Sequence, residues 1–439
     1  MVKVVKFGGS SLASAKQFKK VADIIHADDS RRYVVPSAPG KRSKEDTKVT
    51  DMLYACYDLA AKGKPFDEQF AAIKQRYIEI IEGLGLDLSL DKEFDIIRSC
   101  FIGKAGRDYA ASRGEYLNGL VLANYLGYDF IDPADTIFFD DYGRFDGKRT
   151  YKALGERLEN TERAVIPGFY GSMPNDTIKT FSRGGSDVTG SIVAASCNAD
   201  LYENWTDVSG FMIADPRIVE DPETIKVITY KELRELSYMG AGVLHEDAIF
   251  PVRKAGIPIN IKNTNAPEDQ GTMIVESTSQ KSNYTITGIA GKKGFTSISI
   301  EKDMMNSELG FGRRVLEVFE KNGISFEHMP SGIDTMTVIV HQEEFGAAEQ
   351  EVLAGIHRNC KPDSIVIETG LALIAIVGRG MKSTRGTAGK IFSALADARV
   401  NVNMIDQGSS ELNIIVGVHE EDFETATQSI YDTFVTNAD

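Results

Sequence analysis

The first half of the chain alternates short apolar runs with stretches in which apolar residues recur at helical spacing. Runs at 1–5, 33–35, 164–166 and 201–205 have the length of buried strands, whereas residues 70–81 carry the spacing of an amphipathic helix. Such alternation is typical of a largely parallel sheet with helices on both faces. The helical stripes, including 70–81, are interpreted as core packing without chemistry.

From residue 284 the pattern changes to two successive βαββαβ units. The first has predicted strands and helices at 296–300, 309–322, 324–329, 336–341, 345–357 and 364–368. The second begins at 371 and lacks its last strand, and a spare strand at 284–290 is predicted to complete it. The first unit is then an insertion, and the predicted domains are 1–278, 296–369 and 284–295 plus 370–439.

Two glycine-rich loops join a predicted strand to a predicted helix. The lysine loop (residues 6–11) reads Lys6-Phe7-Gly8-Gly9-Ser10-Ser11, and the arginine loop (residues 181–187) reads Phe181-Ser182-Arg183-Gly184-Gly185-Ser186-Asp187. Glycines let a backbone approach an oxyanion, and a helix N-terminus offers unpaired N–H groups. A tight turn is the commoner meaning of one such loop, and the P-loop spacing is absent. Two of them in one sheet favour a shared anion-binding cleft.

Three further stretches carry polar groups at predicted strand or helix ends. The proline loop (residues 36–41) contains Ser37 and Gly40, and the stretch after residue 205 contains Thr206 and Asp207. Glu115 follows Ser112 by three residues, which is the spacing of a capping box at a helix start. Glu115 is therefore interpreted as a cap first and as a partner for a substrate ammonium second.

Length, charge and cysteine content narrow the function class. A chain of 439 residues predicts two or three domains, and a net charge of −15 disfavours nucleic acid or an anionic membrane as partner. The four cysteines are widely spaced, which favours buried thiols in a reducing cytoplasm. No signal peptide is recognised, and the densest apolar run, 371–377, is too short to cross a bilayer.

Taken together and in this order, the motifs resemble those of monofunctional aspartate kinases over the whole chain. The resemblance implies a three-layer α/β/α amino-acid-kinase domain followed by two ferredoxin-like α+β ACT domains. It also implies transfer of a phosphoryl group from ATP, with Mg²⁺, to the side-chain carboxylate of L-aspartate, the first step towards lysine, threonine and methionine. A carboxylate with a pKa of about 4 needs no general base, in keeping with the absence of a histidine or cysteine constellation.

The resemblance implies roles for individual residues. Lys6 would neutralise the transferring phosphoryl group and Asp187 would orient Lys6, while Glu115 would hold the substrate ammonium and Arg183 its α-carboxylate. The phosphoryl-transfer set is Lys6, Gly8, Gly9 and Asp187, and the aspartate set is Ser37, Thr50, Glu115, Arg183 and Ser186. The nucleotide set is Lys6, Gly8, Gly9, Ser10, Thr206, Asp207, Met212, Arg217 and Lys262. No protein cage for a metal is recognised.

Two positions depart from the family pattern. Met212 stands where many members have an aromatic residue, and Asn265 where some have a lysine. Met212 in place of an aromatic residue affects stacking on the adenine ring. Asn265 in place of a lysine affects a contact to a phosphate group. Lys262 is the candidate substitute for that lysine.

The tandem ACT units imply feedback control and pairing into a homodimer or a dimer of dimers. The matching effector residues are Ser307, Gly310, Phe311, Ser325, Phe326 and Glu327. Because Glu327 suits a side-chain ammonium, lysine is the preferred effector and threonine the alternative. One rival function is a kinase for glutamate or N-acetylglutamate, against which the tandem ACT units and Glu115 argue. The other is a non-catalytic amino-acid sensor, against which the intact Lys6, Arg183 and Asp187 argue.

Overall fold

A computed structural model describes residues 1–182, 184–242, 244, 246–280 and 283–437. They form two compact units. The first consists of Met1–Phe211, Thr224–Tyr230 and Gly242–Thr278, and the second of Met212–Glu223, Lys231–Ala241 and Ser279–Asp439. Two short segments from the middle of the chain therefore belong to the unit that is otherwise formed by the C-terminal third.

The first unit is built on an eight-stranded sheet in the order β3-β4-β2-β1-β7-β9-β10-β8. Its strands are β1 (Lys3–Phe7), β2 (Arg31–Pro36), β3 (Asp129–Phe130), β4 (Ala164–Val165), β7 (Leu201–Thr206), β8 (Val227–Thr229), β9 (Ile259–Asn263) and β10 (Thr272–Val275). A hairpin of β5 (Tyr170–Ser172) and β6 (Ile178–Thr180) lies outside this sheet. All neighbours are parallel except β9 and β10, so the predicted parallel α/β sheet is confirmed.

Eight helices belong to the first unit over the residues that the structure describes. They are α1 (Ala15–His26), α2 (Val49–Ala61), α3 (Asp67–Leu84), α4 (Asp91–Ile102), α5 (Arg107–Leu126), α6 (Gly147–Glu159), α7 (Gly185–Ser196) and α9 (Phe250–Ala255). The α3 residues Ile73, Tyr77 and Ile80 lie in the core, as their spacing predicts. The sequence pattern did not identify α4, whose Phe94, Ile97 and Phe101 are also buried.

The second unit holds a six-stranded antiparallel sheet in the order β12-β13-β11-β14-β16-β15. The strands are β11 (Gly288–Glu301), β12 (Phe326–His328), β13 (Thr335–His341), β14 (Ser364–Val377), β15 (Met404–Asp406) and β16 (Asn413–His419). The helices are α8 (Tyr230–Tyr238, which joins this unit from Lys231), α10 (Phe311–Lys321), α11 (Gln342–Cys360), α12 (Thr387–Asp397) and α13 (Phe423–Tyr431).

Two long strands join the halves of this sheet. Each of β11 and β14 spans what the sequence pattern divides into two strands, because Gly294 and Gly370 continue the chain at positive φ without ending the pairing. The predicted spare strand begins at Gly288 rather than at 284, and its first residues pair with 373–377 of β14. The two predicted βαββαβ units thus share β11 and β14, while the exact domain limits stay a prediction.

Candidate active site

Lys6 is the penultimate residue of the buried strand β1 and is bound by two polar side chains. Its Nζ lies 2.7 Å from Oδ1 of Asp187 and 3.4 Å from Oδ1 of Asn204, and Lys6 is 8% exposed. Asn204 also donates from Nδ2 to Asp187 at 2.8 Å. Asp187 and Asn204 therefore hold the ammonium at the carboxyl end of β1, where parallel sheets bind ligands.

The lysine loop continues β1 into a short 3-10 helix, Ser10–Leu12, and α1 begins only at Ala15. The Gly8 N–H donates to the carbonyl of Trp205 at 3.0 Å, so this member of the phosphoryl-transfer set has no free N–H for a phosphoryl oxygen. The Gly9 and Ser10 amides have no acceptor among the described residues. These two amides, in the loop that follows Lys6, are candidate donors to an anionic oxygen.

The proline loop packs directly on the lysine loop. The Gly40 N–H donates to the Gly9 carbonyl at 2.8 Å, and a Cβ on Gly40 would lie 2.6 Å from the Gly9 carbonyl carbon. Ser37 follows β2, donates its N–H to Phe7 and is partly exposed. Thr50 lies in the first turn of α2. Glycine at position 40 is therefore required for this approach of two backbones.

Glu115 does not cap a helix. It lies in the middle of α5, which begins at Arg107, so the capping interpretation is wrong. The carboxyl is buried and accepts a hydrogen bond from the backbone N–H of Ala38, while its Oε2 has no partner among the described residues. Burial raises the pKa of Glu115 to about 8. A buried carboxyl with one unsatisfied oxygen can receive a cationic group.

The arginine loop leads into α7. Gly184 has a φ of 56°, Ser186 is buried at the start of the helix, and Asp187 follows it in the first turn. Arg183 lies outside the described residues. Among the described residues of this loop, Asp187 is the side chain that the structure brings to Lys6.

Outside the lysine loop, the predicted nucleotide residues lie in three places: at the end of β7, in the second unit, and on β9. Thr206 ends β7 and its Oγ1 donates to the exposed Asp207. Met212 and Arg217 belong to the second unit, where Arg217 bonds to Asp215.

Lys262 lies opposite Trp205 in the β7–β9 register, whereas Lys6 lies opposite Asn204 in the β1–β7 register. Since successive side chains of a strand point to opposite faces, Lys262 is on the sheet face away from Lys6. Its Nζ is 5.2 Å from the centre of the Trp205 ring, and burial lowers its pKa. We therefore leave Lys262 out of the proposed phosphate contacts.

The candidate effector residues lie around the start of α10 and on β12. Ser307 ends a 3-10 turn, Gly310 precedes α10 at a φ of 78°, and the Phe311 ring is buried in the core. Ser325 and Phe326 are exposed.

The Glu327 carboxylate already has two partners, since its Oε1 is 3.2 Å from Nε2 of His341 and it is hydrogen-bonded to the Tyr238 hydroxyl. Tyr238 belongs to α8 in the same unit. An effector ammonium at Glu327 must therefore exchange with these groups.

Sequence reasoning missed Asn204 and the contact between Ser11 and Thr264, whose hydroxyls lie 2.8 Å apart and tie the lysine loop to the chain after β9. The available signal for Asn204 was a polar residue inside the run 201–205, but Glu203 gives the same signal, and only the β1–β7 register places Asn204 opposite Lys6. Thr264 carried no local signal, because the contact spans 253 positions of the chain.

Two family models match the chain. The model of the amino acid kinase family matches residues 1–263, and an ACT domain model matches residues 374–434. The curated protein Aspartokinase 3 of Bacillus subtilis is 41% identical over 450 residues, covering 99% of this chain and 98% of the relative. Aspartokinase 1, chloroplastic, of Arabidopsis thaliana is 28% identical and covers 99% of this chain and 80% of the relative.

Solved structures agree with these matches. The crystal structure of aspartate kinase from Clostridium acetobutylicum is 56% identical with a TM-score of 0.94, covering 99% of this chain and all of that one. The structure of E. coli aspartokinase III in complex with aspartate and ADP is 25% identical with a TM-score of 0.73 and covers 99% of both chains. With a family model that matches more than half of its length and a full-length relative above 40% identity, the chain belongs to the amino acid kinase family and, within it, to the aspartokinases.

Proposed function

We propose that this chain transfers the γ-phosphoryl group of ATP to the side-chain carboxylate of L-aspartate, forming 4-phospho-L-aspartate. One observation supports L-aspartate as the acceptor: the backbone of Ala38 is adjacent both to Glu115 and to the lysine loop. Its N–H donates to Glu115, and its carbonyl lies 2.8 Å from where a Cβ on Gly9 would be. The Glu115 carboxyl and the lysine loop are thus both adjacent to the backbone of Ala38, which suits a short amino acid whose amino group and reacting carboxylate lie close together.

The Lys6 site supports phosphoryl transfer to a carboxylate. Lys6, which Asp187 and Asn204 keep oriented, supplies positive charge for the transferring phosphoryl oxygens, and the Gly9 and Ser10 amides are candidate N–H donors to them. Such transfer depends mainly on positioning and on stabilisation of negative charge. Because the acceptor carboxylate is already ionised at neutral pH, the transfer requires no general base from the protein.

The remaining roles complete the proposal. Oε2 of Glu115 binds the substrate ammonium, and Arg183 holds the α-carboxylate by analogy with the family. Ser37, Thr50 and Ser186 line the aspartate pocket, and Thr206 and Asp207 hold the nucleotide. A nucleotide role for Met212 and Arg217 rests on the family resemblance alone.

Mg²⁺ enters with ATP in this proposal. Over the residues that the structure describes, no group of three or more His, Cys, Asp or Glu side chains could hold a metal ion. This fits a cation that is bound mostly by phosphate oxygens and water with one or two carboxylates.

We further propose that an amino acid, preferably lysine and otherwise threonine, regulates the enzyme through the second unit. An effector ammonium that binds Glu327 would displace Tyr238 and His341 from this carboxylate and so change the contacts of α8. The effector would then bind one conformation of the protein better than another, as regulation requires. The N-terminal half of β14 pairs on one side only among the described strands, which supports pairing into a homodimer or a dimer of dimers.

The four cysteines are free, which supports a cytoplasmic location. In the described part of the chain, no helix combines the length and apolar character needed to cross a membrane.

The testing experiment traps the acyl phosphate as a hydroxamate with hydroxylamine. L-aspartate, L-glutamate and N-acetylglutamate are supplied in parallel with ATP and Mg²⁺, each with and without lysine or threonine. We expect product from L-aspartate alone and suppression by one added amino acid. Product from another acid would contradict the substrate assignment, and absence of product from all three would support a non-catalytic sensor.

A further inference from the structure

Arg76 is a buried cation on a helix whose other inward residues are apolar. It lies on α3 and is 4% exposed, among Ile73, Tyr77 and Ile80. Its Nη2 donates to the carbonyl of Gly40 at 2.6 Å and to the carbonyl of Ala13 at 3.3 Å. One guanidinium thus contacts the proline loop and the turn that follows the lysine loop.

A third contact fixes the guanidinium from outside. Nη1 of Arg76 donates to Oδ2 of Asp46 at 2.7 Å, and Asp46 is also bonded to Arg42. The hydrogen bonds from Arg42, and then from Arg76, hold the pKa of Asp46 well below its usual range. Asp46 therefore neutralises Arg76 near neutral pH without contacting either loop carbonyl.

Burial of the Arg76 guanidinium lowers the stability of the folded protein. Its Nε is buried and has no partner among the described residues. Replacing a buried ion pair by apolar side chains of similar volume is often neutral or stabilising. The core of the first unit therefore does not need a cation here, and the bonds to the two loops are what the guanidinium adds.

We propose that Arg76 is a positioning residue that sets the separation between the lysine loop and the proline loop. On the proposed function, on which this inference rests, the lysine loop holds the phosphoryl group and the proline loop lines the aspartate pocket. Gly40 and Gly9 already meet through a backbone hydrogen bond of 2.8 Å. Arg76 adds a second link, since it bonds to the carbonyl of Gly40 in the proline loop and to that of Ala13 just after the lysine loop. These bonds limit how far the two loops can move relative to each other.

The consequence concerns turnover more than binding. Each loop keeps its own substrate contacts when Arg76 is removed, but donor and acceptor lose their alignment. A displacement of about 1 Å costs about a hundredfold in rate when reacting groups must be in line. Loss of Arg76 should therefore lower kcat and leave the KM for ATP and for aspartate nearly unchanged.

The test compares Arg76→Met and Arg76→Lys with the full-length wild type in the hydroxamate assay. We expect kcat to fall about 10- to 100-fold in Arg76→Met and less in Arg76→Lys, with each KM within about threefold of wild type. Lysine keeps the charge but lacks the planar fork that reaches two carbonyls and Asp46 together. If Arg76→Met does not fold, the Arg76→Lys comparison decides alone.

A control variant separates positioning from stability. Ile80→Ala removes core packing on the same helix and leaves the Arg76 bonds to the two loop carbonyls in place. It should keep wild-type kcat below its melting temperature. A wild-type kcat in both Arg76 variants, a raised KM for one substrate only, or an equal loss of kcat in Ile80→Ala would overturn the inference. Absence of product from the wild type would instead refute the proposed function.

Discussion

Glu115→Gln should make the protein more stable at alkaline pH while weakening aspartate binding. The burial of Glu115 raises its pKa from 4.5 to about 8. Between these values the folded protein retains a proton that the unfolded chain has lost, so stability falls as pH rises from about 4.5 to 8. Glutamine does not ionise and escapes this loss.

The magnitude follows from the pKa shift. A difference of about 3.5 pKa units corresponds to about 5 kcal/mol above pH 8, at about 1.4 kcal/mol per unit. At pH 5 only about 1 kcal/mol of it is present, so the advantage of the variant should grow by about 4 kcal/mol between pH 5 and pH 8.5. For a unit of this size that equals about 8 to 16 °C in melting temperature.

The assay is thermal unfolding of wild type and Glu115→Gln at both pH values without substrate. Glu82→Gln, at an exposed position of α3, is the control for charge removal alone. A melting-temperature difference between wild type and Glu115→Gln that is the same at both pH values would refute the reasoning about the buried carboxyl.

A second measurement tests the proposed role of the unpaired oxygen. In Glu115→Gln the KM for aspartate should rise about tenfold to a hundredfold, as expected when a charged hydrogen-bond partner is lost. Aspartate should also raise the melting temperature of the wild type more than that of the variant, because ligand binding stabilises the folded state. An unchanged KM would exclude Glu115 as the ammonium site.

Three further predictions concern the Lys6 site and the second unit. Lys6→Ala should lower turnover about a hundred- to a thousandfold with an unchanged circular dichroism spectrum, and wild-type turnover would contradict its role. Glu327→Ala should spare turnover and raise the lysine concentration for half-inhibition about tenfold. An unchanged concentration for half-inhibition would contradict the effector role of this carboxylate. Val366→Glu, on the exposed edge of β14, should shift the mass measured by light scattering towards the monomer, and an unchanged mass would exclude that edge as the pairing surface.

Local sequence features were sufficient for the main buried strands and for the position of the lysine loop. Apolar runs and helical spacing depend on neighbouring residues, so β1, β2 and β7 were predicted to within two residues of their limits. Glu115 was the exception, because a capping box and an interior turn of a long helix have the same residue spacing. The start of α5 at Arg107 is set by packing that the local pattern does not contain.

The sequence by itself determined which chemical groups the site has: a lysine at the end of the first apolar run, two glycine-rich loops, and the carboxylates of Glu115 and Asp187. Only the tertiary structure decided which of them meet. The Lys6–Asp187 pair and the Arg76–Gly40 bond join distant parts of the chain, and strand register directs Lys262 to the opposite face. The physical reason is that side-chain direction and burial depend on register and on packing between elements, which neighbouring residues do not specify.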